Sequence, residues 1–386
     1  MPLAFVDQHG SQLYYEDTGV PLQSSDYTTL VLIHGACFQG AVFKPLFAQA
    51  ATQNMRLVAV NMRDYYGSTL YSPSELAELG STDVDTQTKA LRARGLEILT
   101  FLLWFIREEN IPPLMLTTAN GEFGGGGVSL LGWSWGNEST LSSIAHAGEL
   151  AQDDTETLAK YMRALIIYDP SPRVFGAPAS ALDESYNPLN DRSLSAEELK
   201  RAFPSWVSSY YSHSTDMLDA FPSIGRDELI AGFSQEPIQK PHYLMPTLLR
   251  MSNDELSRVV NEGAVMRSHF LYEAVDGKVY TDNARNALRD TTVWPDLRVV
   301  LVWCDMSVSE ALLSTWGLLK QVEGDWPAHG RRVHALRLRG ANHFPHWDRP
   351  ARTMQLLAEM IKSTRVPTNV EVQVREVERY GLGHAN

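Results

Sequence analysis

The stretch Val128-Ser129-Leu130-Leu131-Gly132-Trp133-Ser134-Trp135-Gly136-Asn137 decides how this chain folds. A short apolar run leads into a Gly-x-Ser-x-Gly turn, and residues with helical character follow as far as Ala147. That order is strand, tight turn, helix. A serine at such a turn takes a strained backbone conformation with its hydroxyl exposed above the sheet, and flanking glycines remove Cβ atoms that would clash. The pattern alone is weak: average glycine and serine usage gives it by chance in on the order of one chain in ten of this length. Its surroundings have to carry the reading.

Working outward, apolar runs bounded by turn residues recur at Thr29–Ile33, Arg56–Val60, Arg163–Tyr168, Leu297–Trp303 and Arg332–Leu338. Such runs suit strands buried on both faces, as in a parallel sheet covered by helices. Helical stretches separate most of them, at about 41–51, 83–109, 138–148, 309–321 and 350–362. The alternation predicts the α/β class: a doubly wound, mostly parallel central sheet flanked by helices. Two short alternating segments around Gln8-His9-Gly10 read as an N-terminal hairpin. Between Pro170 and Thr292 the alternation stops, and helical, aromatic-rich and methionine-rich sequence takes over. We read this as an inserted helical cap, which divides the chain into core residues 1–172, cap 173–292, core 293–365 and a C-terminal tail 366–386. The tail alternates Val370, Val372 and Val374 with polar residues, which suits an added edge strand or a surface for a partner. The run Gly121–Gly127 precedes a strand instead of joining strand to helix, so it reads as a flexible turn and not a phosphate loop.

Bulk properties bound the function. The 386 residues carry a formal charge of −13, which argues against nucleic acid and anionic membranes as partners. The basic cluster Arg331, Arg332, Arg337 and Arg339 is interleaved with apolar residues and reads as a strand bearing solvated arginines. Cys37 and Cys304, the chain's two cysteines, exclude a disulfide framework and read as buried free thiols. The N-terminal residues lack the pattern of a signal peptide, and the apolar helical run Leu96–Ile106 is too short to span a bilayer. The expectation is a soluble, cytoplasmic protein acting on a small molecule, with no cofactor and no metal.

A serine hydroxyl needs a base within hydrogen-bond reach, and the base needs a third group to fix its tautomer and balance its charge. Asp305 follows the run ending at Trp303, and His343 follows the run ending at Leu338. Asp169 also follows an apolar run, in Tyr168-Asp169-Pro170, and is the alternative acid. His346 invites a metal reading, but no set of acidic or thiolate partners accompanies it.

The sequence resembles the α/β-hydrolase fold of the esterase, lactonase and thioesterase type. The resemblance rests on Ile33-His34-Gly35-Ala36, the segment Asn61–Ser68, the Ser134 turn, Trp303-Cys304-Asp305-Met306-Ser307 and Gly340-Ala341-Asn342-His343, in family order, and it does not cover the cap. It implies Ser134 as nucleophile, His343 as base and Asp305 as the favoured acid, with the Ala36 and Trp135 amides as the oxyanion hole. It also implies that Arg63, Asp64 and Gly67 organise a loop. Serine at the turn speaks against the carboxylate-nucleophile chemistry of epoxide hydrolases and haloalkane dehalogenases. Trp133, Cys37 and Phe38 are candidates to bind substrate, and cap aromatics such as Phe203, Trp206 and Phe270 suit either an apolar, aromatic substrate or the cap's own core. Acyl transfer or cyclisation, carbon–carbon hydrolysis of a diketone, and ligand binding without catalysis all remain open on the same residues.

Overall fold

The computed structural model describes residues 2–117, 122–177, 186–189, 191, 193–362 and 375–376. Eight strands form the main sheet: β1 (Leu3–Phe5), β2 (Gln12–Asp17), β3 (Thr28–Ile33), β4 (Met55–Val60), β5 (Val128–Trp133), β6 (Met162–Tyr168), β7 (Arg298–Cys304) and β8 (Val333–Leu338). Their order is β1-β2-β4-β3-β5-β6-β7-β8. β1 and β2 form the expected antiparallel hairpin, β2 pairs antiparallel with β4, and every pairing from β4 to β8 is parallel. Of the tail, Arg375–Glu376 adds a short parallel edge to β8. Most of the tail, and Gly121 of the glycine run, lie outside the described residues.

The apolar runs become strands because both faces of the sheet are covered. In β3, Leu30 and Leu32 enter one core while Val31 and Ile33 enter the other. In β6, Leu165 and Ile167 split from Ile166 and Tyr168 in the same way, as the two-residue period of a strand requires. Helix Val84–Glu109 covers one face with Ile98, Leu102 and Phe105, and helix Pro350–Lys362 covers the other with Met354, Leu357 and Ile361. The strand order reverses between β3 and β5, and at such a point the loops leaving neighbouring strands diverge and open a crevice at their carboxyl ends. The loops with Ala36 and Ser134 leave the sheet there.

Between Asp169 and β7 the described residues contribute no strand to the sheet. Helices Ala196–Ser208 and Asn253–Val259 each start with a capping box, Ser195 with Glu198 and Ser252 with Glu255. A π-helical turn at Val265–His269 interrupts the helical run from Glu262 to Ala274. Helix Gly277–Arg289 packs on helix Asn137–Ala145, behind the Ser134 turn.

One sequence expectation fails for two of its four arginines, while Arg332 is exposed as expected. Arg331 is buried and donates to the carbonyls of Ala287, Trp294 and Val293, and Arg337 is buried against Asp305. These arginines staple the end of the sheet instead of standing in solvent.

Candidate functional site

β5 delivers Ser134 at φ +54°, in the left-handed region that a non-glycine residue enters only under constraint. The constraint is visible at the flanking glycines. A Cβ on Gly132 would sit 2.6 Å from Thr140 Oγ1 and 2.7 Å from Asn137 Cα, and one on Gly136 would strike the carbonyl oxygen of His34. Both positions therefore exclude a side chain, and the strand can turn directly into helix Asn137–Ala145.

His343 leaves β8 on the loop Arg339–Asn342 and is 3% exposed. Its Nδ1 lies 2.6 Å from Asp169 Oδ2. Asp169 is fully buried at φ +43°, and its other oxygen accepts the Cys304 amide at 3.0 Å. Ser307 Oγ donates to Asp169 Oδ2 at 2.6 Å and stands 3.4 Å from His343 Nδ1. With Nδ1 committed to Asp169, Nε2 is left for the pocket. Ser134, His343 and Asp169 line one pocket together with Ala36 and Trp135. Among the described residues Ser134 Oγ makes no hydrogen bond to His343; such contacts are often loose until substrate binds.

The favoured acid of the sequence reading is therefore placed elsewhere. Asp305 accepts Arg337 Nε at 3.0 Å and the Gly340 amide at 2.7 Å, so both oxygens are spent on holding the loop that carries His343. It does not touch the imidazole. Asp169, the alternative, does.

Trp135 is the second residue of the turn Ser134–Gly136, where a helix start leaves its amides without intrahelical partners. Ala36 follows His34-Gly35 in the loop after β3, and both Ala36 and Trp135 line the pocket. His34 fixes that loop: Nδ1 meets the Gly35 carbonyl at 2.9 Å and Nε2 accepts the Met62 amide at 3.1 Å. Burial holds its imidazole down to about 4, so it stays neutral. Arg63 binds Glu97, Glu75 and two carbonyls, and Asp64 receives the Tyr71 amide and Arg267 of the π-helical turn, which are the organising roles expected of them.

The three substrate-binding candidates separate. Trp133 has no exposed surface, donates Nε1–H to the His343 carbonyl at 3.1 Å and packs under the imidazole, so it supports the site from below and does not line it. Phe38 lines the Ser134 pocket and a neighbouring apolar cavity of about 390 Å³, partly open to solvent. Cys37 lines that cavity alone, and burial pushes its thiol up to about 12. His346 sits in an aromatic cluster of Trp133, Phe43 and Tyr168, and burial drives its imidazole far below the usual range. Ser307, Asn187, His269 and Glu310 were missed by sequence reasoning. Ser307 had a signal, since it lies two residues past Asp305 in the same loop.

The alpha/beta hydrolase family model matches residues 30–356. The chain belongs to the alpha/beta hydrolase family. Solved relatives include a thermophilic esterase from Thermogutta terrifontis, at 13% identity, 94% of this chain, 98% of that chain and a TM-score of 0.44. A carboxylesterase study from Nitrososphaera gargenis gives 13%, 93%, 97% and 0.49, and an esterase from Exiguobacterium antarcticum gives 14%, 94%, 100% and 0.42. The comparison with curated proteins returned no match. In this alpha/beta hydrolase Ser134 sits on the turn after β5, His343 on the loop after β8 and the buried Asp169 after β6. No helix among its described residues is long and apolar enough to cross a membrane.

Proposed function

We propose that this alpha/beta hydrolase cleaves a carboxylic ester, lactone or thioester through an acyl-enzyme on Ser134. His343 Nε2 takes the hydroxyl proton as Oγ attacks the carbonyl carbon, and the same proton then passes to the leaving group. Asp169 holds the imidazole by Nδ1 and balances the charge it acquires. The amides of Ala36 and Trp135 receive the oxyanion. Water, deprotonated by His343, attacks the acyl-enzyme, releasing the acid and restoring Ser134. The chemistry calls for neither cofactor nor metal.

The observation that carries this reading is the 2.6 Å contact of His343 Nδ1 with a fully buried Asp169, in a pocket that also contains the strained Ser134. The adjoining cavity, walled by Phe38, Leu189 and Phe203, supports an apolar portion in the substrate. Intact-mass analysis after treatment with a fluorophosphonate tests the nucleophile. One adduct is expected on the wild type and none on Ser134→Ala, and an adduct persisting on Ser134→Ala removes Ser134 from the mechanism.

A further inference from the structure

Resting on the hydrolase reading, we propose that the pocket takes a substrate bearing a protonated aliphatic amine, held by Glu310 together with Glu273 and His269 beside Ser134. Glu310 lies in the first turn of helix Ser309–Gly324, three residues past Ser307, and is 6% exposed. It lines the pocket that contains Ser134 and His343. Its two oxygens accept Asn187 Nδ2, each at 3.1 Å, and among the described residues no cation pairs with it. Among the described residues no lysine or arginine lines the pocket, whereas Glu273 does. A buried carboxyl without a counter-charge is costly, and one that lines a pocket is a candidate to receive a cationic ligand. Burial, with Glu273 adding to it, pushes the Glu310 carboxyl up to about 8, the behaviour of a group missing its cation.

A second observation points the same way. His269 is buried in the π-helical turn, lines this pocket, and its Nε2 has no hydrogen-bond partner although Glu273 Oε1 stands 3.4 Å away. An ammonium N–H placed between these groups meets two carboxylates and a free ring nitrogen, with Trp206 and Phe203 in the same lining to favour a cation. A bound ammonium favours the ionised form of Glu310, and a neutral hydroxyl does not. Phe38, Leu189 and Phe203 line both this pocket and the large apolar cavity, so an alkyl chain on the amine meets apolar side chains that the two share. The substrate is thus an amphiphile with unlike ends.

The test is protection of Ser134 from fluorophosphonate labelling by n-hexylamine against n-hexanol, each rate read relative to the same variant without ligand. Hexylamine should half-protect the wild type at a concentration about tenfold lower than hexanol, as a charge-assisted hydrogen bond requires. Glu310→Gln should erase that preference, and Glu273→Gln, at a more exposed position, should reduce it about threefold. Equal protection by the two ligands overturns the proposal, as does a preference that survives in both variants. If the wild type does not label at all, the hydrolase reading fails. Calorimetric titration of hexylamine into wild type and Glu273→Gln then decides the amine site by itself: tighter binding to the wild type supports it, and equal binding sinks it.

Discussion

Asp169 and Asp305 leave neighbouring parallel strands, β6 and β7, at their carboxyl ends, and both are buried, yet they serve different partners. Asp169 meets the His343 imidazole, the Cys304 amide and Ser307 Oγ. Asp305 meets the Arg337 guanidinium and the Gly340 amide. The difference comes from the next strand over. β8 carries Arg337 into the end of the sheet beside β7, and a buried guanidinium captures the nearest carboxylate before the histidine loop begins. Position after a strand therefore nominates an acid, and the local counter-charge assigns its work.

Asp169→Asn should make the largest difference. Its amide cannot hold the same tautomer of His343, and kcat/KM should fall by ~10⁴ with the urea midpoint little changed. Parallel loss of activity and midpoint would mean that Asp169 is mainly a structural group. Asp305→Asn should show the opposite profile, costing about 3 kcal/mol of stability because Arg337 loses its buried carboxylate and keeps only the Leu218 carbonyl and the exposed Asp219, 3.7 Å away. Adding Arg337→Met should recover a large part of that loss in urea unfolding. Additive losses in the double variant would contradict the pairing.

Ser307→Ala removes one hydrogen bond from Asp169 while leaving the Cys304 amide in place. A rate loss of about tenfold is expected, in keeping with one hydrogen bond to a charged group. No change in rate would mean that the Cys304 amide alone orients the carboxylate.

Glu138 supplies a third case, a carboxylate with no ion-pair partner among the described residues. It lies one turn past Ser134, accepts Ser139 Oγ at 2.8 Å, and burial pushes it up to about 7 from an ordinary 4.5. The folded state therefore holds a proton that the unfolded chain releases earlier, so stability falls as pH rises from about 4.5 through about 7. Glu138→Gln should flatten that decline in a series of melting temperatures, the smallest effect of the set. A slope identical to wild type would show that other groups set it.

The sheet was legible because burial on both faces leaves continuous apolar runs, and the elbow because glycine is required on both sides of Ser134. The choice of acid was not, and the reason is physical. Reading Arg337 as solvated and Asp305 as the partner of His343 are one error, since a buried arginine would have claimed Asp305. The aromatic residues between Pro170 and Thr292 were ambiguous for a similar reason. Phe203 and Trp206 line the Ser134 pocket, while Tyr210 and Phe221 are buried in cores, and side-chain type does not separate these fates. Trp133 shows the limit again: adjacency in sequence to Ser134 placed it beneath the site.

The most direct test of the central claim, that Asp169 and not Asp305 completes the serine–histidine pair, is the fluorophosphonate labelling rate of Asp169→Asn and Asp305→Asn, measured side by side at a temperature where both are folded. Labelling lost in Asp169→Asn and kept in Asp305→Asn is the predicted result; labelling kept in Asp169→Asn and lost in Asp305→Asn would contradict it.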